Sequence, residues 1–241
     1  MRIPKIIHYC WFGGKPLPDS AVKCIESWKK FFPDYEIRQW DETNFDVNII
    51  QYTSDAYKIA KYAFVSDYAR MWVLFHYGGI YFDTDVEVIK SYDQILAQGG
   101  FMGFETFKYV NPGLGMALPK GSMIAWDVME EFSRTKFLLE EGNFNPNGIV
   151  PITTKVLEKN GLITTRKEQK LGDVKIYPID WFNPLDPITG RLKKTINTHS
   201  IHWYTKSWME PESEWKKVFS QYLHRILGKS FPSKIKKFLG Q

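Results

Sequence analysis

The stretch Tyr62–Lys90, YAFVSDYARMWVLFHYGGIYFDTDVEVIK, decides how the rest of the chain is read. Ala63, Ala69, Trp72, Val73 and Leu74 recur at helical spacing, which predicts a buried amphipathic helix. Asp67 and Arg70 interrupt that apolar run three residues apart and so share one helix face. Left unpaired in a core they would cost several kcal/mol, roughly, so the spacing predicts that something engages them. Gly78-Gly79 ends the helix, because glycine accepts the left-handed conformation of a C-terminal cap. Ile80-Tyr81-Phe82 is then a short β-prone run, too apolar for an exposed edge, with Asp83-Thr84-Asp85 at its mouth. In an open α/β sheet, ligands bind at the carboxyl ends of strands. Two carboxylates there can share one hard divalent cation, and such a cation can hold a diphosphate.

Working outward, Ile3 to Phe12 is β-prone and runs into Gly13-Gly14. Neither a G-x-G-x-x-G nor a P-loop accompanies it. Asp19 or Ser20 is placed to cap a helix through Phe31, with Ala21, Val22, Ile25 and Trp28 on one face. Tyr35 to Trp40 reads as a second strand, and the strand–helix–strand order predicts a right-handed crossover in a parallel sheet. Phe101 to Leu118 reads as two strands about a turn at Asn111-Pro112-Gly113. Helices are expected at Ser122–Phe137 and at about Val150–Lys159, and two short β pieces within Val174–Phe182. The spacing gives one domain over residues 1–210, followed by a helix from Pro211 to Leu227 and a basic amphipathic tail, together 211–241.

Composition bounds the class. The chain has 241 residues, 44% of them hydrophobic, enough for one sizeable α/β core. Nine Trp, thirteen Tyr and seventeen Phe exceed ordinary use; most serve packing, and some suit the flat faces of sugars or bases. Two cysteines, Cys10 and Cys24, are too few for a disulfide framework or a zinc site, which makes a reducing cytoplasm the simplest location. The sequence opens without a signal peptide and has no run of eighteen apolar residues. Net charge is +5, and after Glu214 there are seven Lys/Arg and no Asp or Glu. With positive charge confined to that end, nucleic acid is not expected as a partner. Residues 215–241 have the pattern of a segment that lies on an anionic membrane face, or alternatively of a helix packed on its own domain.

Taken together, Ser66-Asp67-x-x-Arg70 and Tyr77-Gly78-Gly79-Ile80-Tyr81-Phe82-Asp83-Thr84-Asp85 resemble the signature of glycosyltransferases with a DXD-containing sugar-binding region. That family includes initiating α-mannosyltransferases, bacterial capsule and lipopolysaccharide sugar transferases and, distantly, clostridial glucosylating toxins. The likeness extends from Ile3 to about Leu118 and is patchier beyond. It implies a GT-A-type α/β fold with a mixed, mostly parallel sheet flanked by helices. It also implies transfer of a hexose, with retention, from a nucleotide sugar (UDP-linked ahead of GDP-linked) to a glycan of capsule or lipopolysaccharide synthesis, which can be lipid-linked.

By the same resemblance, Asp83 and Asp85 hold Mn²⁺ or Mg²⁺, and His202 completes the metal shell. Asp67 and Arg70 grip the hydroxyls of the donor sugar. Ile3, Pro4, Lys5, Ile7, His8, Trp11 and Gly13 match the family's opening strand, where Trp11 stacks on the base with His8 nearby; both also read as core residues. Asn111 corresponds to an asparagine below the transferred sugar, or is simply a turn-forming Asn-Pro. Glu105 is expected near the acceptor. Thr198 to Trp208 resembles the family's closing motif, with Trp203 in place of a second histidine; His202 reads equally as a buried strand residue, and Ser207 and Trp208 donate to the diphosphate.

Two other functions fit parts of the pattern. An apolar strand leading into D-x-D-x-V also opens haloacid-dehalogenase phosphatases, where Asp83 would be the nucleophile and Gly172-Asp173 the start of a further metal motif. A non-catalytic sugar-binding module would keep the aromatic platforms without needing the acid pair.

Overall fold

A computed structural model describes residues 2–165 and 167–205. In chain order the elements are β1 (Ile6–Cys10), α1 (Asp19–Phe31), β2 (Glu36–Trp40), α2 (Gln51–Lys58), α3 (Tyr62–Tyr77), β3 (Gly79–Tyr81), β4 (Val86–Val88), α4 (Asp93–Leu96) and β5 (Gly100–Gly103). They continue with β6 (Met116–Leu118), α5 (Met123–Ser133), α6 (Ile149–Lys159), β7 (Gln169–Leu171), β8 (Val174–Tyr177), α7 (Ile179–Phe182), β9 (Leu185–Asp186), β10 (Arg191–Leu192) and β11 (Ser200–His202).

Seven strands form the main sheet in the order β2-β1-β3-β6-β5-β8-β7. The pairs β1–β2, β1–β3 and β5–β8 are parallel, while β3–β6, β5–β6 and β7–β8 are antiparallel. β2, β1, β3, β5 and β8 therefore all point one way and only β6 and β7 oppose them, so the sheet is mixed and mostly parallel. A separate ribbon pairs β11 antiparallel to β4, and β9–β10 is a short hairpin.

The two-residue side-chain period divides the core between the faces of this sheet. Tyr81, Met102 and Met116 join a cluster with Val65, Ala69 and Val73 of α3 and with residues of α2, α5 and α6. Their neighbours Ile80, Phe101 and Ala117 belong to a second cluster with Cys24, Ile25 and Trp28 of α1, Tyr92 and Phe182. This is the three-layer arrangement of a sheet with helices on both faces. Cys10 and Cys24 are both buried free thiols.

α3 runs through the first cluster as the Tyr62–Lys90 pattern requires, and it stops at the two glycines. Gly78 has φ 65° but ψ −176°, so the expected left-handed cap is not what forms; the chain turns out of the helix straight into β3. A Cβ on Gly78 would stand 2.6 Å from the Lys120 amide nitrogen, and one on Gly79 (φ 115°) 2.5 Å from the Ile6 carbonyl oxygen. Glycine is needed here for close backbone approach as well as for positive φ.

Three local expectations are corrected. α1 is preceded by Pro18, with no side-chain cap; Asp19 is the first helical residue and interacts with the helix dipole instead. The helix at 122–137 ends at Ser133. The second β piece of Val174–Phe182 is the helical turn α7, which Pro178 begins by supplying extended backbone ahead of the turn. The expected helix and tail over 211–241 lie outside the described residues. Among those described, no helix is long and apolar enough to cross a membrane.

Candidate active site

Because β1, β3, β5 and β8 point the same way, their carboxyl ends meet on one edge of the sheet. Asp83-Thr84-Asp85 follows β3, Trp11 follows β1, and Glu105 follows β5. β6 runs oppositely, so the loop that leads into it, Asn111 to Gly115, reaches the same edge.

At the centre lie Asp83, Asp85 and His202, each offering a ligand atom within 4.8 Å of the others. His202 arrives from the ribbon, where it pairs with Val86, the first residue after the D-x-D. Its Nε2 is 3.2 Å from Asp85 Oδ1 and 3.8 Å from Asp83 Oδ2. Burial alone would lower the His202 pKa, but the two carboxylates outweigh it and raise the pKa well above the usual histidine value. Burial likewise pushes Asp85 up, but His202 and Thr205, whose N–H donates to Asp85 Oδ2 at 2.9 Å, hold it below the ordinary carboxylate range. This donor set, two carboxylates and one imidazole, suits a small divalent cation. A cation held there would need His202 as neutral imidazole.

Arg70 joins this centre to α3. The side chain is 5% exposed; Nη2 is 2.9 Å from Asp67 Oδ1, Nη1 is 3.2 Å from Asp83 Oδ1, and Nε donates to the Ser66 carbonyl. Its guanidinium also lies over the Tyr81 ring. The predicted Asp67–Arg70 pair is present, and the structure adds Asp83 to it. Asp67 Oδ2 accepts from the Ile149 amide at the first turn of α6. Burial raises the Asp67 pKa to about 6 against the pull of Arg70 and that amide. Two glycines make room: a Cβ on Gly148 would stand 2.5 Å from Asp67 Oδ2, and one on Gly113 would stand 2.2 Å from Asp83 Oδ2.

Asn111 is buried and does not begin a strand. It caps the short 3-10 turn Pro112–Leu114, accepting from the Gly113 N–H at 2.7 Å, while its Nδ2 donates to Glu105 Oε1 at 3.1 Å. Trp11 is half-buried at the end of β1, its indole N–H donating to the Lys15 carbonyl, and Tyr62 packs against neighbouring Gly13.

Of the two readings of His8, the structure shows the residue placed in the core. It is fully buried, accepts from Trp40 Nε1 at Nδ1 (3.0 Å) and places Nε2 2.9 Å from the Gly78 carbonyl, so both ring nitrogens are engaged inside the protein. Burial lowers its pKa to about 4. Ser207 and Trp208 lie outside the described residues.

Spacing did not single out Gly113, Gly148, Thr205 or Tyr204. Tyr204 (φ 51°) puts its ring 4.1 Å from His202 and its hydroxyl 3.1 Å from Glu105 Oε1 and 3.0 Å from Asn183 Oδ1. The one available signal was proximity in sequence to His202.

The fold is that of GT-A glycosyltransferases. It superimposes on the PaToxG glycosyltransferase with a TM-score of 0.50 at 18% identity, over 65% of this chain and 69% of that one. Residues 18–102, which carry α3, β3 and the D-x-D, match the family described as glycosyltransferase sugar-binding region containing DXD motif. Inositol phosphoceramide mannosyltransferase 3 of Schizosaccharomyces pombe is 33% identical over 102 residues, 39% of this chain and 27% of the relative. An uncharacterized glycosyltransferase of Acanthamoeba polyphaga mimivirus is 33% identical over 118 residues, 45% of each chain. The match thus spans less than half the length of either relative.

The phosphatase reading finds no support. Asp173 precedes β8, at the opposite edge of the sheet from Asp83, so Gly172-Asp173 cannot add a ligand to this centre.

Proposed function

We propose that this chain is a metal-dependent, retaining glycosyltransferase that moves a hexose from a nucleotide sugar to a glycan acceptor. The observation that carries this is the Asp83–Asp85–His202 cluster at the carboxyl end of β3, inside the matched DXD region. Asp83, Asp85 and His202 would hold Mn²⁺ or Mg²⁺. When bound, such a cation neutralises the donor's diphosphate and makes it a better leaving group.

The protein's own residues supply the rest. Arg70 fixes the Asp83 carboxylate from behind, and Thr205 and His202 fix that of Asp85, so both are preorganised before donor arrives. Asp67 accepts from the Ile149 amide at the α6 N-terminus and so ties that helix end to the site, and with Arg70 it would grip hydroxyls of the donor sugar. Trp11 offers an aromatic face for the base. The leaving phosphate takes the acceptor proton, so no separate general base is required.

The mannosyltransferase named among the relatives supports a hexose, and its inositol phosphoceramide acceptor supports one carried on lipid. We assign UDP-linked donors ahead of GDP-linked ones and a glycan of capsule or lipopolysaccharide assembly, both from the sequence resemblance. Residues 215–241, with their uninterrupted positive charge, would hold the enzyme reversibly on the inner face of the cell membrane at about 1 kcal/mol per cation. Flotation with anionic vesicles, comparing the full chain with one ending near Lys229, tests that attachment.

The reaction is tested by incubating the protein with a panel of UDP- and GDP-sugars, with Mn²⁺, Mg²⁺ or EDTA, and measuring nucleotide release. Metal-dependent release from one donor is expected. Binding of sugars without release from any donor would instead mark a non-catalytic sugar-binding module.

A further inference from the structure

A histidine that ligates a metal ordinarily donates its second ring N–H to a carboxylate or carbonyl, which fixes the ring's orientation and tautomer. His202 lacks that support: Nε2 faces Asp85 and Asp83 at 3.2 and 3.8 Å, while the buried Nδ1 has no hydrogen-bond partner among the described residues. The contact with Asp85 aims Nε2 only as long as the ring carries its proton. As a neutral ligand, the imidazole has two ring nitrogens able to bind. We propose that Tyr204 is the positioning residue that settles the choice, by packing its ring on the imidazole so that Nε2 is presented to the carboxylates. The proposal rests on the metal-dependent reading above and deepens it by naming what aims the third ligand.

Contact is the first argument. The two ring centroids are 4.1 Å apart with their planes at 75°, an edge-on arrangement of the kind aromatic pairs favour. The far end of the tyrosine is fixed as well. Its hydroxyl lies 3.1 Å from Glu105 Oε1 and 3.0 Å from Asn183 Oδ1, so its one proton has an acceptor on either side. Those acceptors are themselves tied, since Asn183 Nδ2 donates to the Glu105 carbonyl and Asn111 Nδ2 to Glu105 Oε1, each at 3.1 Å. The backbone on both sides of Tyr204 is pinned to Asp85: the Trp203 amide donates to its carbonyl and the Thr205 amide to its Oδ2, both at 2.9 Å. The ring is therefore set relative to the D-x-D as well as to His202.

Backbone strain is the second. Tyr204 has φ 51°, in the left-handed region that a bulky side chain rarely occupies and that glycine enters without steric cost. Residues held there persist where their surroundings over-determine them, and they gather at functional sites. A tyrosine in this turn gives up backbone ease and keeps a side chain that touches a metal ligand at one end and a hydrogen-bonded pair at the other.

Two variants of the full chain test this. Tyr204→Asn removes the ring but accepts a left-handed backbone, so the turn and its grip on Asp85 are kept; Tyr204→Gly serves the same purpose should the asparagine variant not fold. Tyr204→Phe keeps the ring contact and loses only the hydroxyl. Mn²⁺ affinity is read from water relaxation, and the ligating ring nitrogen from nitrogen NMR of histidine-labelled protein with Zn²⁺ as a diamagnetic probe, both well below the lowest thermal midpoint. The parent should bind Zn²⁺ through His202 Nε2 alone. Tyr204→Asn should lose ~10-fold in Mn²⁺ affinity and no longer bind Zn²⁺ through Nε2 alone. Tyr204→Phe should fall between the two in affinity and keep the Nε2 pattern. Zn²⁺ held by Nε2 alone in Tyr204→Asn overturns the proposal, and so does an equal loss of Mn²⁺ affinity in the two variants, because the ring contact then has no share. Failure of the parent to bind Mn²⁺ or Zn²⁺ would instead strike the metal-dependent reading itself.

Discussion

The Arg70 guanidinium is 3.2 Å from Asp83, so a helix buried in the core and the strand-end carboxylate of the D-x-D are mechanically one unit. Arg70 also binds Asp67 at 2.9 Å, which makes the cation the bridge between two acids. An arginine can do this because its planar fork presents several donors in fixed directions; a lysine ammonium cannot span both.

Arg70→Ala should leave Asp67 and Asp83 as uncompensated charges and cost about 3–5 kcal/mol of stability, with loss of turnover. Arg70→Lys should recover part of the stability but little of the activity. Urea unfolding and nucleotide-sugar turnover, measured on both variants, separate the two effects. Wild-type kcat in Arg70→Lys would show that Asp83 needs no fixed partner.

Asp83→Asn and Asp85→Asn should each abolish metal-dependent turnover, and each should also lower stability, because Asp83 pairs with the buried Arg70 and Asp85 with the buried His202. The loss of charge neutralisation at the leaving group amounts to several kcal/mol, roughly, of transition-state stabilisation. Removing metal with EDTA should reproduce the loss in the parent, and returning Mn²⁺ should restore it. Activity indifferent to EDTA and preserved in both variants would contradict a metal-assisted reaction.

Gly113→Ala places a methyl group 2.2 Å from Asp83 Oδ2, closer than nonbonded atoms approach. The strand or the carboxylate must shift, so Mn²⁺ affinity should fall by an order of magnitude or more, roughly, as when a ligand loses its supporting contact. Thermal unfolding should move little by comparison. Titration of Mn²⁺ by its paramagnetic effect on water relaxation reads the first quantity; an unchanged affinity would mean that Asp83 is not a ligand.

His8 gives a pH dependence. Its pKa is lowered from 6.5 to about 4 by burial, so between those values the unfolded chain binds a proton that the native protein does not. Stability contributed by neutral His8 is therefore full above about pH 6.5 and lost as pH falls toward about 4, amounting to about 3 kcal/mol. His8→Asn should be less stable at neutral pH yet lack that share of the slope. Urea midpoints from pH 7 to 4, compared between the two proteins, check it; parallel curves would assign the slope elsewhere.

The sequence by itself determined the frame of this protein. Hydrophobic period separated the long helix α3 from the strands, Gly78-Gly79 fixed their junction, and the D-x-D at the end of an apolar run marked the edge where chemistry takes place. These are local properties, set by side-chain period and backbone sterics within a few residues. Tertiary structure decided what each polar residue touches. His8 lies in β1 and Trp11 just after it, yet one is spent inside the core while the other stays half-exposed at the sheet's edge. Arg70 was legible as a partner of Asp67, three residues away on its own helix; its bond to Asp83 required β3 to pack beneath α3. Gly113 and Gly148 matter because distant segments come within contact of the site, and nothing in their own neighbourhood of sequence encodes that approach. Spacing along a chain reports which residues share a helix face or strand side; only the packed fold brings the β3 end, the ribbon and the Asn111 loop to within a few ångströms of one another.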